Sequence, residues 1–132
     1  MWPFRAKAPP GARGERLAAD HLRRKGYRIL ARNYRCPPGE ADIIALDRST
    51  RRIHGVESIA FVEVKTRAGA ARADPESAVD ARKRRQLRRV AEYYLAHHDT
   101  GDRRVRFDVV AIRLPAEGKP ELRHIPDAFE PP

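Results

Sequence analysis

The sequence predicts an α/β domain in which helices cover a mixed β-sheet. Runs rich in β-branched and aromatic residues alternate with segments of helical periodicity in the order α-β-β-β-α-β. The length of 132 residues is that of one ordinary domain with a single sizeable core. A hydrophobic fraction of 41% excludes a disordered chain, although 35% of the residues are charged.

The first half of the chain predicts one helix and three strands. Residues 1–13 hold three prolines and three basic residues and predict a mobile basic arm. Residues 14–25 predict a helix that ends before Gly26, because glycine favours helix C-caps. The predicted strands are 27–34, 40–47 and 58–66, with a CPPG turn after the first and a loop or hairpin connection over 48–57.

The second half predicts a long helix and a fourth strand. A loop over 67–75 ends at a proline, and apolar residues at helical spacing predict a helix over 76–97. Residues 105–114 predict a strand, which ends the main domain, predicted over 14–114. Residues 115–132 predict a C-terminal tail in which LRHI adds a short edge strand.

The charge of the chain favours a polyanionic partner. Lys and Arg number 28 against 18 Asp and Glu, which gives a formal net charge of +10. Such an excess favours nucleic acid first and an anionic membrane surface second. Cys36 is the single cysteine, so no intrachain disulfide forms, which fits a reducing cytoplasm. Neither a signal peptide nor a membrane span is predicted, because no apolar segment is long enough.

Charged residues interrupt two of the predicted strands. In FVEVKTR, Glu63 and Lys65 are two residues apart and therefore point to the same face of a segment that is otherwise apolar. Asp42 lies in EADIIALD, ahead of residues that are apolar on both faces. A structural ion pair explains the first two, and a strand end explains Asp42. Buried carboxylates are costly, however, and local failures of pattern mark candidate functional sites.

Two helical residues break the pattern in the same way. Glu15 lies along the apolar stripe of its helix, and Lys83 lies four residues after Val79 and four before Leu87. Glu15 alone is explained by the helix dipole, and Lys83 alone by a side chain that extends from the core edge to solvent. All four misplaced charges together are harder to explain, because neighbouring carboxylates raise one another's pKa.

A divalent cation would resolve this conflict. Mg²⁺, or Mn²⁺ in its place, takes hard oxygen ligands and keeps several waters, so Asp42, Glu63 and the carbonyl of Val64 would suit it. Such an ion lowers the pKa of bound water and polarises a phosphate. Lys65 would orient the water or stabilise the charge on phosphorus. The pattern predicts phosphodiester hydrolysis, and the +10 charge predicts a nucleic-acid substrate.

Arginines provide candidate substrate contacts. Arg67 and Arg72 follow the ExK strand and are predicted to meet a substrate phosphate, together with Lys83. A stripe on the long helix is explained equally by a solvated face and by phosphate contact; it comprises Arg82, Arg85 and Arg89. Asp108 is two residues from Arg106 on one face, which predicts a structural ion pair rather than a ligand.

The spacing of these residues resembles the PD-(D/E)XK nuclease pattern, and more closely the YraN-type bacterial proteins. The matching stretches are GARGERLAADHL, GYRILARNYR, GEADIIALD, FVEVKTR, AVDARKRRQLRRVAEYYL and VRFDVVAI. The resemblance implies a restriction endonuclease-like core with a central mixed sheet flanked by helices. It also implies Glu15, Asp42, Glu63 and Lys65 as the site, with Lys83 facing it. Residues 51–60 depart from the pattern, because this connection is longer than the usual hairpin.

The sequence therefore predicts a metal-dependent nuclease that cuts DNA in preference to RNA, in a structured or branched form. The alternative is a non-catalytic nucleic-acid-binding accessory protein in recombination or DNA uptake, and a third interpretation is a stabilising ion network with a protein partner. A chain of this size that cuts two strands symmetrically is expected to form a homodimer, although no segment identifies the dimer face.

Overall fold

A computed structural model describes residues 10–69 and 79–130. The predicted arm over 1–9, most of the loop after the third strand with Arg72, and residues 76–78 of the long helix lie outside the described residues. The helices are α1 (Pro10–Arg24), α2 (Arg51–His54) and α3 (Ala81–His97). The strands are β1 (Arg28–Cys36), β2 (Gly39–Asp47), β3 (Ser58–Ala68), β4 (Arg104–Leu114) and β5 (Glu121–Phe129).

The strands form one five-stranded sheet in the order β1-β2-β3-β4-β5. Neighbouring strands are antiparallel except for β3 and β4, which are parallel. A parallel pair needs a long crossover, and α3 provides it between β3 and β4. The predicted fold class, a mixed sheet flanked by helices and consistent with a restriction endonuclease-like core, is confirmed.

Two apolar layers cover the faces of the sheet. On one face, α1 packs Ala18, Ala19 and Leu22 against apolar residues of β2, β3 and β4. This is the stripe that the sequence predicts for the first helix. On the other face, α3 packs Leu87 and Tyr94 against the alternate residues of the same strands. Because successive strand residues point to opposite faces, sheet residues are buried on both sides, which explains the nearly continuous apolar runs of β2 and β3.

The observed elements differ from the predicted ones mainly at their ends. Helix α1 begins at Pro10 rather than residue 14, because proline is well tolerated in the first turn, where its missing N–H has no partner to lose. Helix α3 begins at Ala81, since Asp80 has extended backbone and its side chain accepts a hydrogen bond from the N–H of Lys83. The predicted loop over 48–57 contains α2.

The C-terminal segment contributes more than the short edge strand that LRHI predicts. Strand β5 has nine residues and pairs with β4 along most of its length. Phe129 is buried and stacks on Phe107, with ring centroids 5.0 Å apart. The sheet therefore continues beyond residue 114 to Phe129. Within the described residues, no helix is long and apolar enough to cross a membrane.

Candidate active site

The site lies where the ladder between β2 and β3 ends. The last paired residues are Ile43 and Val62, and beyond them Asp42 Oδ2 accepts a hydrogen bond of 2.8 Å from the backbone N–H of Val64. A side chain thus replaces a backbone acceptor at this point. The N–H and C=O of one strand residue point to the same side, so the carbonyl of Val64 also faces β2. Asp42 and Val64 therefore lie together, as the sequence predicts.

Glu63 is the most buried charged group of the site. Its side chain is 6% exposed and faces two lysines. Lys65 Nζ lies 3.6 Å from Oε1, and Lys83 Nζ lies 3.8 Å from Oε2. Both distances are too long for hydrogen bonds, and within the described part of the chain Oε2 has no hydrogen-bond donor. A buried carboxylate oxygen without a partner is destabilising, which marks the position as a candidate for a ligand.

The position of Lys83 is set by two residues that the sequence did not single out. Lys83 Nζ donates a hydrogen bond of 3.0 Å to Gln86 Oε1, one turn further along α3. Gln86 in turn packs closely on Gly39 at the start of β2. A Cβ at Gly39 would lie 2.7 Å from side-chain atoms of Gln86, which is closer than carbon atoms approach. A glycine at this position allows Gln86 to hold Lys83 towards Glu63.

Glu15 reaches the site from α1. The helix approaches β3 so closely at Gly14 that a Cβ there would lie 1.9 Å from Thr66 Oγ1. The next residue, Glu15, is half-buried, and its carboxylate interacts with the carboxylate of Asp42 and with the side chain of Asn33. Asn33 has a positive φ of 50°, which asparagine tolerates better than most residues. Glu15 therefore lies beside Asp42.

The carboxylates of the site share a raised pKa. Burial, and then the charge of Asp42, raise the pKa of Glu63 to about 7 against the opposing effect of the lysines. Burial also raises the pKa of Asp42, although the hydrogen bond from Val64 opposes this. Burial and then Asp42 raise the pKa of Glu15. The folded chain thus holds negative charges together that it does not fully compensate, as at many functional sites.

The residues present fit a magnesium-like ion. Two carboxylates, Asp42 and Glu63, and the carbonyl of Val64 form a hard oxygen donor set, and Glu63 Oε2 lacks a partner. In the described ranges no three or more His, Cys, Asp and Glu side chains form a metal cage. Mg²⁺ needs only one or two carboxylates, because water completes its octahedron.

The arginines predicted to contact the substrate lie on β3 and α3 where the structure describes them. Arg67 is exposed and lies within β3 rather than in the loop that follows it, because the strand extends to Ala68. Arg72 lies outside the described residues. The helix stripe is exposed on α3, as both of its explanations require; it consists of Arg82, Arg85 and Arg89. These arginines provide exposed basic charge on the helix that also carries Lys83.

A second buried polar cluster lies away from this site. Arg106 donates two hydrogen bonds to Asp108, of 2.8 and 2.9 Å, one of 2.7 Å to Asp47 and one of 2.9 Å to the hydroxyl of Tyr27. His124 contacts Asp108 at 2.8 Å. Burial opposes ionisation, but these bonds hold the pKa of Asp108 below its usual range. The predicted ion pair between Arg106 and Asp108 is confirmed and is part of a larger network.

Sequence reasoning missed the residues that support the site. In the sequence, Gln86 is one of many polar residues on a basic helix, and its spacing does not distinguish it from the others. Gly14 precedes Glu15 inside a helix, where glycine is unfavourable, so its presence was a usable signal of close packing. Asn33 was a second signal, because asparagine is depleted in strands and YRILARNY otherwise forms one.

The fold and the site together define an α/β protein with a buried carboxylate–lysine cluster at the end of a central strand pair. The chain belongs to the uncharacterised protein family UPF0102, whose profile matches residues 14–112. It is 43% identical over 120 residues to a UPF0102 protein of Pelobacter propionicus, which covers 91% of this chain and 81% of the relative. It is 45% identical over 115 residues to a UPF0102 protein of Mycobacterium avium, covering 87% and 85%. A UPF0102 protein of Moorella thermoacetica is 48% identical over 104 residues, covering 79% and 80%.

Proposed function

We propose that this protein is a metal-dependent nuclease of the PD-(D/E)XK type that hydrolyses phosphodiester bonds in structured or branched DNA. The observation that carries the proposal is the buried Glu63 carboxylate beside Asp42. One of its oxygens lacks a hydrogen bond, and two lysines stand 3.6 and 3.8 Å away. A purely structural cluster would be expected to close these distances, because buried ion pairs are favourable only when well hydrogen-bonded.

Asp42, Glu63 and the carbonyl of Val64 would hold Mg²⁺ or Mn²⁺. When bound, such an ion lowers the pKa of water and neutralises charge on a phosphate. The chain's own contribution is to hold the donors in a fixed arrangement. The hydrogen bond from Val64 fixes the Asp42 carboxylate, and the surrounding strands fix Glu63.

The lysines provide the positive charge that hydrolysis requires. Lys65 is 28% exposed and Lys83 is 25% exposed, so both ammonium groups lie at the boundary between the core and solvent. Lys65 would orient the attacking water or stabilise the additional negative charge that develops on phosphorus. Lys83, held by Gln86, would contact the phosphate from the opposite side of Glu63. Arg67 would contact the phosphate backbone further along β3.

The net charge of +10 supports a nucleic-acid substrate. Each phosphate neutralised by a basic side chain releases counterions, so binding is expected to weaken strongly with salt. If the surface contacts about five phosphates, log K falls with log salt at a slope of about −4 to −5. A flat salt response would contradict the substrate class.

One observation favours a non-catalytic nucleic-acid-binding accessory protein as a second candidate. Lys65 and Lys83 already balance the charge of Glu63 in part, so the cluster can persist in a protein that binds no metal. This candidate predicts the same salt dependence and the same basic surface. It differs in predicting no cleavage of any substrate with any divalent cation.

A cleavage and binding panel separates the two candidates. Single-stranded, duplex, flap and four-way DNA are each incubated with Mg²⁺, Mn²⁺ or EDTA. Asp42→Asn is expected to abolish cleavage but to leave the dissociation constant in EDTA equal or lower, because it removes a charge that repels phosphate. Asp20→Asn on the exposed face of α1 is the matched control and is expected to cut like the wild type.

Lys65→Ala is expected to slow cleavage by two to three orders of magnitude, or about 3–4 kcal/mol, without tightening binding. The rate and the dissociation constant are measured for the same substrates. A wild-type protein that binds every substrate but cuts none, with either metal, would make the accessory protein the better description.

A further inference from the structure

The connection between β2 and β3 carries an exposed apolar side chain. Of the large apolar residues in the described ranges, only Leu30 and Ile53 are exposed, and Ile53 is 80% exposed. Ile53 lies on α2, which buries none of its four residues. We call residues 48–55 the α2 knob. An isoleucine side chain that is mostly exposed to water adds little to the stability of the fold, so it is available to a partner.

The α2 knob is held by a polar network at its base. The carboxylate of Asp47 accepts hydrogen bonds from the backbone and the hydroxyl of Ser49, of 3.0 and 2.6 Å. The hydroxyl of Thr50 bonds to the carbonyl of Val56 and to the hydroxyl of Ser58, each at 2.9 Å. The network is anchored in the core, because Asp47 and Ser58 are 4% and 2% exposed. Ile53 therefore projects from a fixed support.

The end of α2 is also fixed. Gly55 has a φ of 75°, and its N–H closes the turn on the carbonyl of Arg51 at 2.9 Å. A left-handed residue at this position is a common way to end a helix, and glycine adopts it without strain. The α2 knob is thus fixed at both ends. A fixed support is needed if the Ile53 side chain is to enter a partner at a defined position.

Basic side chains surround Ile53. Arg48, Arg51, Arg52 and His54 are all exposed on the α2 knob. Arg51 is paired with Glu57 at 3.4 Å. Within the described residues neither Arg48 nor Arg52 takes part in an ion pair. An apolar tip within a basic rim is complementary to a surface that is anionic outside and apolar inside.

We propose that the α2 knob is a wedge for duplex nucleic acid, in which Ile53 enters between base pairs while Arg48 and Arg52 contact the flanking phosphates. Proteins that kink DNA use isoleucine and similar residues in this way, and arginines bind the adjoining backbone. A lipid surface fits less well, because one isoleucine offers little apolar area to insert. The proposal rests on the proposed function for the choice of nucleic acid as partner.

The wedge would lie apart from the candidate active site. Asp42 and Asp47 are separated by five residues of β2, or about 16 Å at about 3.3 Å per residue. The site and the knob are therefore at opposite ends of the β2–β3 pair. A branched nucleic acid could place one arm at the site and another at the knob, so the wedge would help to select substrate structure rather than perform chemistry.

The test uses the full chain in EDTA, so that binding is measured without cleavage. The probes are a fluorescein-labelled four-way junction for affinity, and a duplex with 2-aminopurine beside a flexible TA step for unstacking. The wild type is expected to bind both and to raise 2-aminopurine fluorescence. Ile53→Ala is expected to weaken binding at least fivefold and to abolish the fluorescence rise. Leu30→Ala, the matched apolar control, is expected to stay within twofold of the wild type.

The Arg52→Ala variant separates the contribution of the basic rim from that of the apolar tip, Ile53. It is expected to reduce the salt slope by about one, as for the loss of one phosphate contact, while saturating protein still raises the fluorescence. Equal affinity and equal fluorescence for Ile53→Ala and the wild type would overturn the wedge, and intact Asp42-dependent cleavage would then leave the proposed function standing. Absence of binding by the wild type would overturn both. Ile53-dependent sedimentation with phosphatidylglycerol vesicles, together with Ile53-independent DNA binding, would overturn the wedge in favour of a membrane contact.

Discussion

Two clusters of buried charge occupy the same sheet, and they differ in how fully their hydrogen bonds are satisfied. Around Arg106 the distances are 2.7 to 2.9 Å, and the pKa of Asp108 and that of Asp47 are lowered by their partners although burial opposes it. Around Glu63 the distances are 3.6 and 3.8 Å, one oxygen has no donor within the described residues, and burial raises the pKa to about 7.

The difference distinguishes a cluster whose hydrogen bonds are satisfied by the fold from one that is a candidate site. The Arg106 cluster joins Tyr27, which directly precedes β1, to the end of β2, to β4 and to β5, and its bonds stabilise the sheet. The Glu63 cluster retains unsatisfied charge at the end of a strand pair, where a ligand could satisfy it. Buried charge alone therefore does not mark a candidate site, whereas buried charge without hydrogen-bond partners does.

The largest effect is expected from breaking the satisfied cluster. Arg106→Met should lower the free energy of unfolding by about 3–5 kcal/mol, because it leaves Asp108 and Asp47 buried without their partner. Urea denaturation measures the change. Arg113→Met on the same strand is the control, since its pair with Glu121 is more exposed, and a much smaller loss is expected. Equal losses for both variants would contradict the structural role of Arg106.

At the unsatisfied cluster around Glu63, removal of the buried charge is expected to raise the free energy of unfolding rather than to lower it. The pKa of Glu63 is about 7 in the folded chain and 4.5 without the fold, so folding retains a proton and stability falls as pH rises from about 4.5 to 7. Glu63→Gln removes this penalty. It should stabilise the protein by about 3 kcal/mol above pH 7 and have little effect below pH 4.5. A destabilised variant at pH 8 would show that the cluster is satisfied after all.

A divalent cation should stabilise the site through the same groups. With Mg²⁺ at ten times its dissociation constant, the free energy of unfolding should rise by about 1.4 kcal/mol. Asp42→Asn should lose this response, whereas Asp20→Asn, on the surface of α1, should keep it. Thermal unfolding with Mg²⁺ and with EDTA gives the comparison, and a response unchanged in Asp42→Asn would exclude that carboxylate as a ligand.

The smallest effect is expected at Gln86. Gln86→Leu removes the bond that holds Lys83, which should lower the free energy of unfolding by about 1 kcal/mol. Lys83 should then react several times faster with acetic anhydride, as followed by mass spectrometry, while Lys65 reacts at an unchanged rate. Equal reactivity of Lys83 in both proteins would mean that Gln86 does not position it.

Much of the fold could be predicted from local pattern. The β-branched runs identify four of the strands, and the stripe of Ala18, Ala19 and Leu22 identifies the buried face of α1, because burial imposes a period on the sequence. Strand β5 is longer than predicted. Pro126 interrupts its sequence pattern, and its pairing with β4 cannot be seen in the β5 sequence alone. The first residue of α3 depends on the cap that Asp80 provides, whereas the sequence pattern favours a helix that begins directly after the proline at position 75.

The sequence by itself determined which charges break the apolar pattern: Asp42, Glu63 and Lys65 are visible because a strand alternates with a period of two. Only the tertiary structure decided how completely each buried charge is satisfied. Asp108 breaks its strand just as Glu63 does, and its pair with Arg106 follows from their spacing. Its other partners come from residues 16 to 19 positions away, and Arg106 is held in turn by Asp47 of β2 and by Tyr27. A sequence pattern reports burial along one element, whereas the free energy of a buried charge depends on the groups that other elements place beside it.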